Sequence, residues 1–177
     1  MKKAKVEFMT PTQFIERFKV QSFFHFTDTR NLSSIRGKGG LFPWVQVKED
    51  VVAPGGNNWS HYADEAHRLD EYVHLALLSE HPMEYRARED GRIIRSCFLR
   101  IDPSILHRNG VLFCPGVSNK FGIVPMTLGQ AVEVMDFEVI YDRTDWTDPE
   151  IRRRRTQAKK YELLVLGNIP LNLISGL

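Results

Sequence analysis

The stretch SFFHFTDTRNLSSIRGKGGL, residues 22–41, begins with an aromatic run and ends in three closely spaced glycines. Aromatic side chains favour a pleated, half-buried surface, so SFFHF (22–26) is predicted to be a strand. Thr27 or Asp28 then offers a side-chain oxygen to cap a helix that carries Leu32 and Ile35 on one face. Gly37, Gly39 and Gly40 end that helix, because glycine enters the left-handed conformation of a C-cap without a Cβ penalty. His25 stands at this strand-to-helix junction, a common place for binding groups. Two readings are open for it: a core histidine bonded to a backbone carbonyl, or a ligand-binding group.

Outward from this stretch, helix and strand periodicities alternate. Thr10, Pro11 and Gln13 supply an N-cap, a first-turn proline and a capping-box partner for a short helix whose apolar face is Phe14, Ile15 and Phe18. LFPWVQV (41–47) is predicted to be a strand confined by Pro43 to an edge or bulge. The glycine-containing segment 48–59 is predicted to be a mobile loop near a site, with Ser60 capping a helix that runs through Leu69. YVHLALL (72–78), IIRSCFLRI (93–101), VLFC (111–114) and YELLVL (161–166) are further strand candidates. Capping boxes are expected at Thr127 to Gln130 and at Thr147 to Glu150. The pattern is that of an α+β fold with a mixed or antiparallel central sheet and short flanking helices, without regular βαβ alternation. No repeat or linker divides it, so a single domain over residues 1–177 is expected.

Composition sets the bounds. A chain of 177 residues, 42% hydrophobic and 26% charged, is ordinary for a globular protein. At this length about 70% of the unfolded surface can be buried, so no disulfide or metal staple is required. Cys97 and Cys114 lie in apolar stretches without a CxxC partner, and both are expected to be buried small hydrophobes. No apolar run reaches the ~18 residues of a membrane span. The start MKKAKVEFMTPTQ lacks the apolar core of a signal peptide, which points to a cytoplasmic protein. Phosphate-loop, dinucleotide-fingerprint and zinc-protease motifs are absent, and no metal is expected.

The balance of 24 basic against 22 acidic residues says little about partners, but its distribution says more. Arg152, Arg153, Arg154, Arg155, Lys159 and Lys160 gather six positive charges within nine residues. Such a run is either the solvated face of a helix or a patch that tracks nucleic-acid phosphates. Glu162 follows at once, in YELLVL. Strand alternation puts it on one face with Leu164 and Leu166, and puts Tyr161, Leu163 and Val165 on the other. A carboxylate on an apolar strand face must lie at the strand end, be paired, or be kept for chemistry, because an unpaired buried charge costs several kcal/mol or more.

Taken together, these segments resemble the DarT family of NAD-dependent DNA ADP-ribosyltransferase toxins. FHFTDTRNLSSIRGKGGL (24–41) is similar to the family's opening strand and helix, DEYVHLALLSEHPM (70–83) to its central strand ending in Pro-Met, and IRRRRTQAKKYELLVLGNIPLNLI (151–174) to its C-terminal segment. The resemblance implies an ADP-ribosyltransferase-like fold with NAD as co-substrate and no metal. It gives His25 contact with the NAD ribose, with Thr27 beside it and Asn31 in the family's helix as further NAD contacts, and makes Glu162 the catalytic residue. It implies single-stranded DNA as acceptor, held by Arg152, Arg153, Arg154 and Arg155, and a macrodomain antitoxin as partner. The central segment departs from the pattern: Ala76 and Leu77 stand where the family has aromatics, and Arg68 is carried over as the family's functional arginine although its spacing differs. Transfer to RNA or protein, or a non-catalytic nucleic-acid-binding module, are the alternatives.

Overall fold

The computed structural model describes residues 9–177, so the basic start of the chain, residues 1–8, lies outside the described residues. The first helix, α1 (Pro11–Phe18), has the expected capping box, Thr10 and Gln13 each satisfying the other's backbone N–H. Its Phe14 is fully buried, with ring-to-ring contacts to Phe18, Phe113, Phe137 and Tyr141. Aromatic pairs at such tilted or edge-on angles contribute about 0.5–1.5 kcal/mol each beyond their buried area.

The aromatic run forms β1 (Phe23–Asp28). The Asp28 side chain caps a 3-10 turn that leads into α2 (Leu32–Lys38), and Gly39, at φ 85°, ends that helix. A two-residue β2 (Gly40–Leu41) follows, then α3 (Trp44–Val47). The strand expected over 41–47 is therefore cut short: Pro43 cannot donate to a ladder, and it opens α3 as its N-cap instead. Next comes α4 (Asn58–Ala66), which starts two residues before the expected cap. Asn57, not Ser60, supplies the capping oxygen, and it accepts the Ser60 N–H.

The remaining strands are β3 (Tyr72–Ala76), β4 (Ser96–Ile101), β5 (Val111–Cys114), β6 (Glu162–Leu166), β7 (Ile169–Pro170) and β8 (Ile174–Ser175). The intervening helices are α5 (Pro82–Glu89), α6 (Leu128–Val134), α7 (Glu138–Tyr141) and α8 (Pro149–Ala158). Sequence reading missed α5, which has little apolar periodicity, and it placed the α8 cap at Thr147, whereas Asp148 accepts the Glu150 N–H. Both cysteines are free; Cys114 is buried as expected, and Cys97 is only half-buried.

Six strands form one antiparallel sheet in the order β5-β6-β3-β1-β4-β8, and β2 pairs with β7 in a separate ribbon. The main core lies on one face, where Leu163 and Val165 of β6 meet Val73 and Leu75 of β3 together with Phe14 and Phe23. The other face of β6 carries Leu164 in a small cluster with Leu69 and Cys114. The alternation read from YELLVL thus separates a large core from a small one, and Glu162 lies on the side of the small one.

Gly40 joins α2 to the β2–β7 ribbon with φ 152°, and a Cβ there would collide with the Ile169 carbonyl. Gly40→Ala is expected to lower stability by at least about 2 kcal/mol, from strained backbone and this clash, as measured by urea denaturation.

Candidate active site

The site begins where the sheet opens. β1 pairs with β4 along its length, whereas its register with β3 is the single pair Phe24↔Ala76. Beyond that pair the His25 ring bridges the two strands, its Nδ1 lying 3.1 Å from the His74 carbonyl. A carbonyl only accepts, so Nδ1 carries the proton and Nε2 is an unprotonated acceptor. Burial pushes His25 down to about 4, against the opposing effect of that hydrogen bond, so the ring is neutral at pH 7. The His25 ring is thus bonded to a backbone carbonyl, and it also lines a cavity of about 230 Å³ together with Thr27, Trp44, His61, Asp64 and Glu162.

Glu162 is the first residue of β6 and is 6% exposed. Its ladder neighbours are Ala76 on β3 and Cys114 on β5, two small side chains that leave room around the carboxylate. Oε2 accepts the Ser118 backbone N–H at 3.0 Å and lies 3.6 Å from His74 Nδ1, while Oε1 lies 3.5 Å from His81 Nε2. His81 Nδ1 accepts the Met83 N–H as the N-cap of α5, so the ring proton sits on Nε2, toward Glu162. Burial alone would raise the Glu162 pKa, but His74, His81 and Ser118 outweigh it and hold the carboxyl below the ordinary glutamate value. Burial alone would likewise depress His74; Glu162, assisted by Asp64 and the Leu69 carbonyl, raises it to about 9. The centre is a buried glutamate paired with an imidazolium, and ring nitrogens of two histidines face its two oxygens.

Asn31 and the segment 48–57 form the roof of the cavity. The Asn31 carboxamide donates to the Ala53 carbonyl at 2.8 Å and to Thr27 Oγ1 at 3.1 Å, and it accepts the Ala53 N–H at 3.2 Å. Arg92 donates to the Gly55 carbonyl, and Lys38 pairs with Asp50 at 2.8 Å. A Cβ on Gly55 would press on the Phe26 ring and one on Gly56 on His61, so both glycines permit close docking. The segment expected to be mobile is pinned at three points. Replacing Asn31 with Ala orphans the Ala53 backbone groups and is expected to cost about 1–3 kcal/mol, with faster limited proteolysis within 48–57.

Arg68 and the four arginines of the basic run, also singled out from sequence, lie outside the cavity. Arg68, at φ 58° just past α4, is exposed and does not line the cavity. In α8, Arg153 pairs with Glu150, and Arg154 chelates Asp136 through two hydrogen bonds. Arg155 donates to the Val139 carbonyl, lies 3.6 Å from Glu80 and stacks 4.0 Å over Trp146. Arg152 is exposed and has no ion pair among the described residues. Much of the basic run thus fastens α8 to its surroundings. Trp44 stacks on His61 at 3.6 Å, whereas Trp59 and Tyr62 are exposed, Trp59 beneath the Lys120 ammonium.

Sequence reading missed His74, His81, Asp64 and Ser118. The first carried a usable signal, since in YVHLA the alternation puts His74 on the face of Tyr72 and Ala76, away from the apolar Val73 and Leu75. The others meet Glu162 through tertiary structure. Among the described residues no group of three or more His, Cys, Asp or Glu side chains could hold a metal ion, and no helix is long and apolar enough to cross a membrane.

The ion pair has a pH signature. The folded His74 pKa lies above the ~6.5 of a free histidine, so the pair stabilises fully below about pH 6.5 and its contribution is lost as pH rises through about 9. Melting temperatures measured from pH 6 to 10 should fall toward the alkaline end. Glu162→Gln should flatten that limb and move the His74 ring titration, followed by NMR, to lower pH.

Comparison with known proteins bears on the fold and the family. The Thermus sp. 2.9 DarT in complex with ADP-ribosylated single-stranded DNA has a similar fold, with TM-score 0.64 and 20% identity over 88% of this chain and 79% of that one. The same Thermus protein in complex with NAD+ aligns with TM-score 0.58 and 21% identity over 88% of this chain and 80% of that one. Thermosipho africanus DarTG in complex with ADP-ribose aligns with TM-score 0.64 and 17% identity over 88% of this chain and 43% of that longer one. No curated protein sequence matches. The family described as single-stranded DNA thymidine ADP-ribosyltransferase, DarT, matches residues 24–177, and the chain belongs to that family.

Proposed function

We propose that this protein is an NAD-dependent enzyme that transfers ADP-ribose to thymidine in single-stranded DNA, carried by a single domain over residues 1–177 and acting in the cytoplasm as a toxin. The observation that carries this reading is the meeting of Glu162 and His25 in one cavity of a chain from the DarT family. The reaction breaks the bond between nicotinamide and ribose and develops oxocarbenium character at the sugar. A fixed, ionised carboxylate stabilises that charge, and Glu162 is held ionised by His74 and the Ser118 N–H. The unprotonated His25 Nε2 accepts a hydrogen bond from a ribose hydroxyl and so positions the anomeric carbon.

Thr27 lies beside His25 as a second NAD contact. Asn31 holds Thr27 and the roof segment, so it acts on NAD through them. Unpartnered buried polar atoms on His61 and Asn119 in the same cavity fit a polar ligand. A free strand or flipped base is required, because a paired base cannot reach a buried carboxylate. Exposed Trp59 and Tyr62 offer stacking surface, and Arg152, with the outer edges of Arg153, Arg154 and Arg155, offers phosphate contacts. The DarTG relative supports a macrodomain antitoxin as partner.

With labelled NAD and pools of single-stranded DNA, duplex DNA, RNA and protein, label is expected in the single-stranded DNA containing thymidine. Glu162→Ala should reduce transfer at least about 100-fold. His25→Ala should weaken NAD binding, read as a smaller rise of melting temperature with NAD. Label in RNA or protein instead would reassign the acceptor, and absence of both label and NAD-induced stabilisation would overturn the reading.

A further inference from the structure

Resting on the reading of Glu162 as the residue that meets the ribose, we propose that Asp64 is a second catalytic carboxylate, which takes the ring N–H proton of the acceptor base as that nitrogen attacks the ribose. The balance of the reaction requires such a group. The carbon–nitrogen bond to nicotinamide breaks with its electron pair returning to the nicotinamide ring, a new carbon–nitrogen bond forms to the base, and one proton leaves the base. That proton needs an acceptor.

Glu162 is poorly suited to take it. Its Oε2 already accepts the Ser118 N–H and faces His74, and its Oε1 faces His81. A carboxylate surrounded by donors is a weak base. Asp64, on α4, has the opposite setting. It is only 9% exposed, it lines the same cavity as Glu162, and its Oδ1 has no hydrogen-bond partner. An unpartnered buried carboxylate oxygen is expensive unless a ligand donor meets it, and an acceptor N–H is such a donor.

The groups acting on Asp64 come from several elements: His74 on β3, Glu162 on β6, Asn119 in the loop after β5, and Asp70 in the turn before β3. Burial leads and raises Asp64 to about 6; Glu162 and Asp70 add to this, and His74 and Asn119 oppose it. Two carboxylates in one cavity are thus pulled apart in basicity, and such a divergence separates a charge-stabilising role from a base. His74 interacts with both and links them electrostatically. The proton passes from Asp64 to solvent as product leaves.

The test uses the whole protein, NAD and a single-stranded oligonucleotide containing one thymidine. Wild type is expected to show a rate that rises with pH through an ionisation near 6 and then levels. Asp64→Asn should lower kcat at pH 7 by about 10²-fold or more while the NAD-induced rise in melting temperature is unchanged. Its rate should recover as pH approaches the ionisation of the base itself, where no general base is needed. Asp64→Glu should restore part of the rate with the acid limb intact, and Glu162→Gln should show no alkaline recovery. An Asp64→Asn protein with unchanged kcat, with a raised KM for NAD alone, or folded but without alkaline recovery would overturn the proposal. If wild type transfers nothing to the oligonucleotide, the reading of Glu162 falls and this inference with it.

Discussion

A carboxylate buried on a β-sheet demands compensation, and much of the site can be understood as the means of supplying it to Glu162. Four separate parts of the chain contribute. β6 places the carboxylate, β3 brings His74 beside it, the turn before α5 brings His81, and the loop after β5 turns the Ser118 N–H toward it. Removing one partner of such a network leaves an uncompensated buried charge, which is strongly destabilising. The same compensation keeps the carboxylate ionised and fixed, the state in which it can stabilise developing positive charge.

Around that centre the structure is arranged to hold donors still. His74 is anchored at its second nitrogen by the Leu69 carbonyl, and its own carbonyl receives His25, so the two histidines of the opening are tied to each other. His81 is the N-cap of α5, and the adjacent Glu80 pairs with Lys159 and lies near Arg155, from the basic run. Positive charges that looked like a phosphate patch thus pair with the residue next to a histidine facing Glu162. Arg152 and Arg153 remain exposed.

Sequence reading went furthest where local chemistry suffices. The capping boxes at Thr10 and Thr127, the Gly39 terminus and the alternation of YELLVL each depend on neighbours within a few residues, and each is present in the structure. It failed where competing local signals had to be ranked. Pro43 could limit a strand or open a helix, and it opens α3 as its N-cap. Asn57 and Ser60 could each cap α4, and Asn57 does so. Arg68 was singled out by resemblance alone, and its exposed, left-handed position past α4 keeps it out of the cavity.

What the sequence alone determined was the class of fold, the segments that make the sheet, and the identity of Glu162 and His25 as polar residues in otherwise apolar strands. These follow from period and residue type, which are local properties. The tertiary structure decided which groups surround them. His74, His81, Ser118 and Asp64 reach the site only when β3, the α5 turn, the loop after β5 and α4 pack together. It also decided the protonation state of each, since burial and the distance to a neighbouring charge exist only in the folded chain. For the same reason two carboxylates of similar intrinsic acidity, Glu162 and Asp64, come to differ in one cavity.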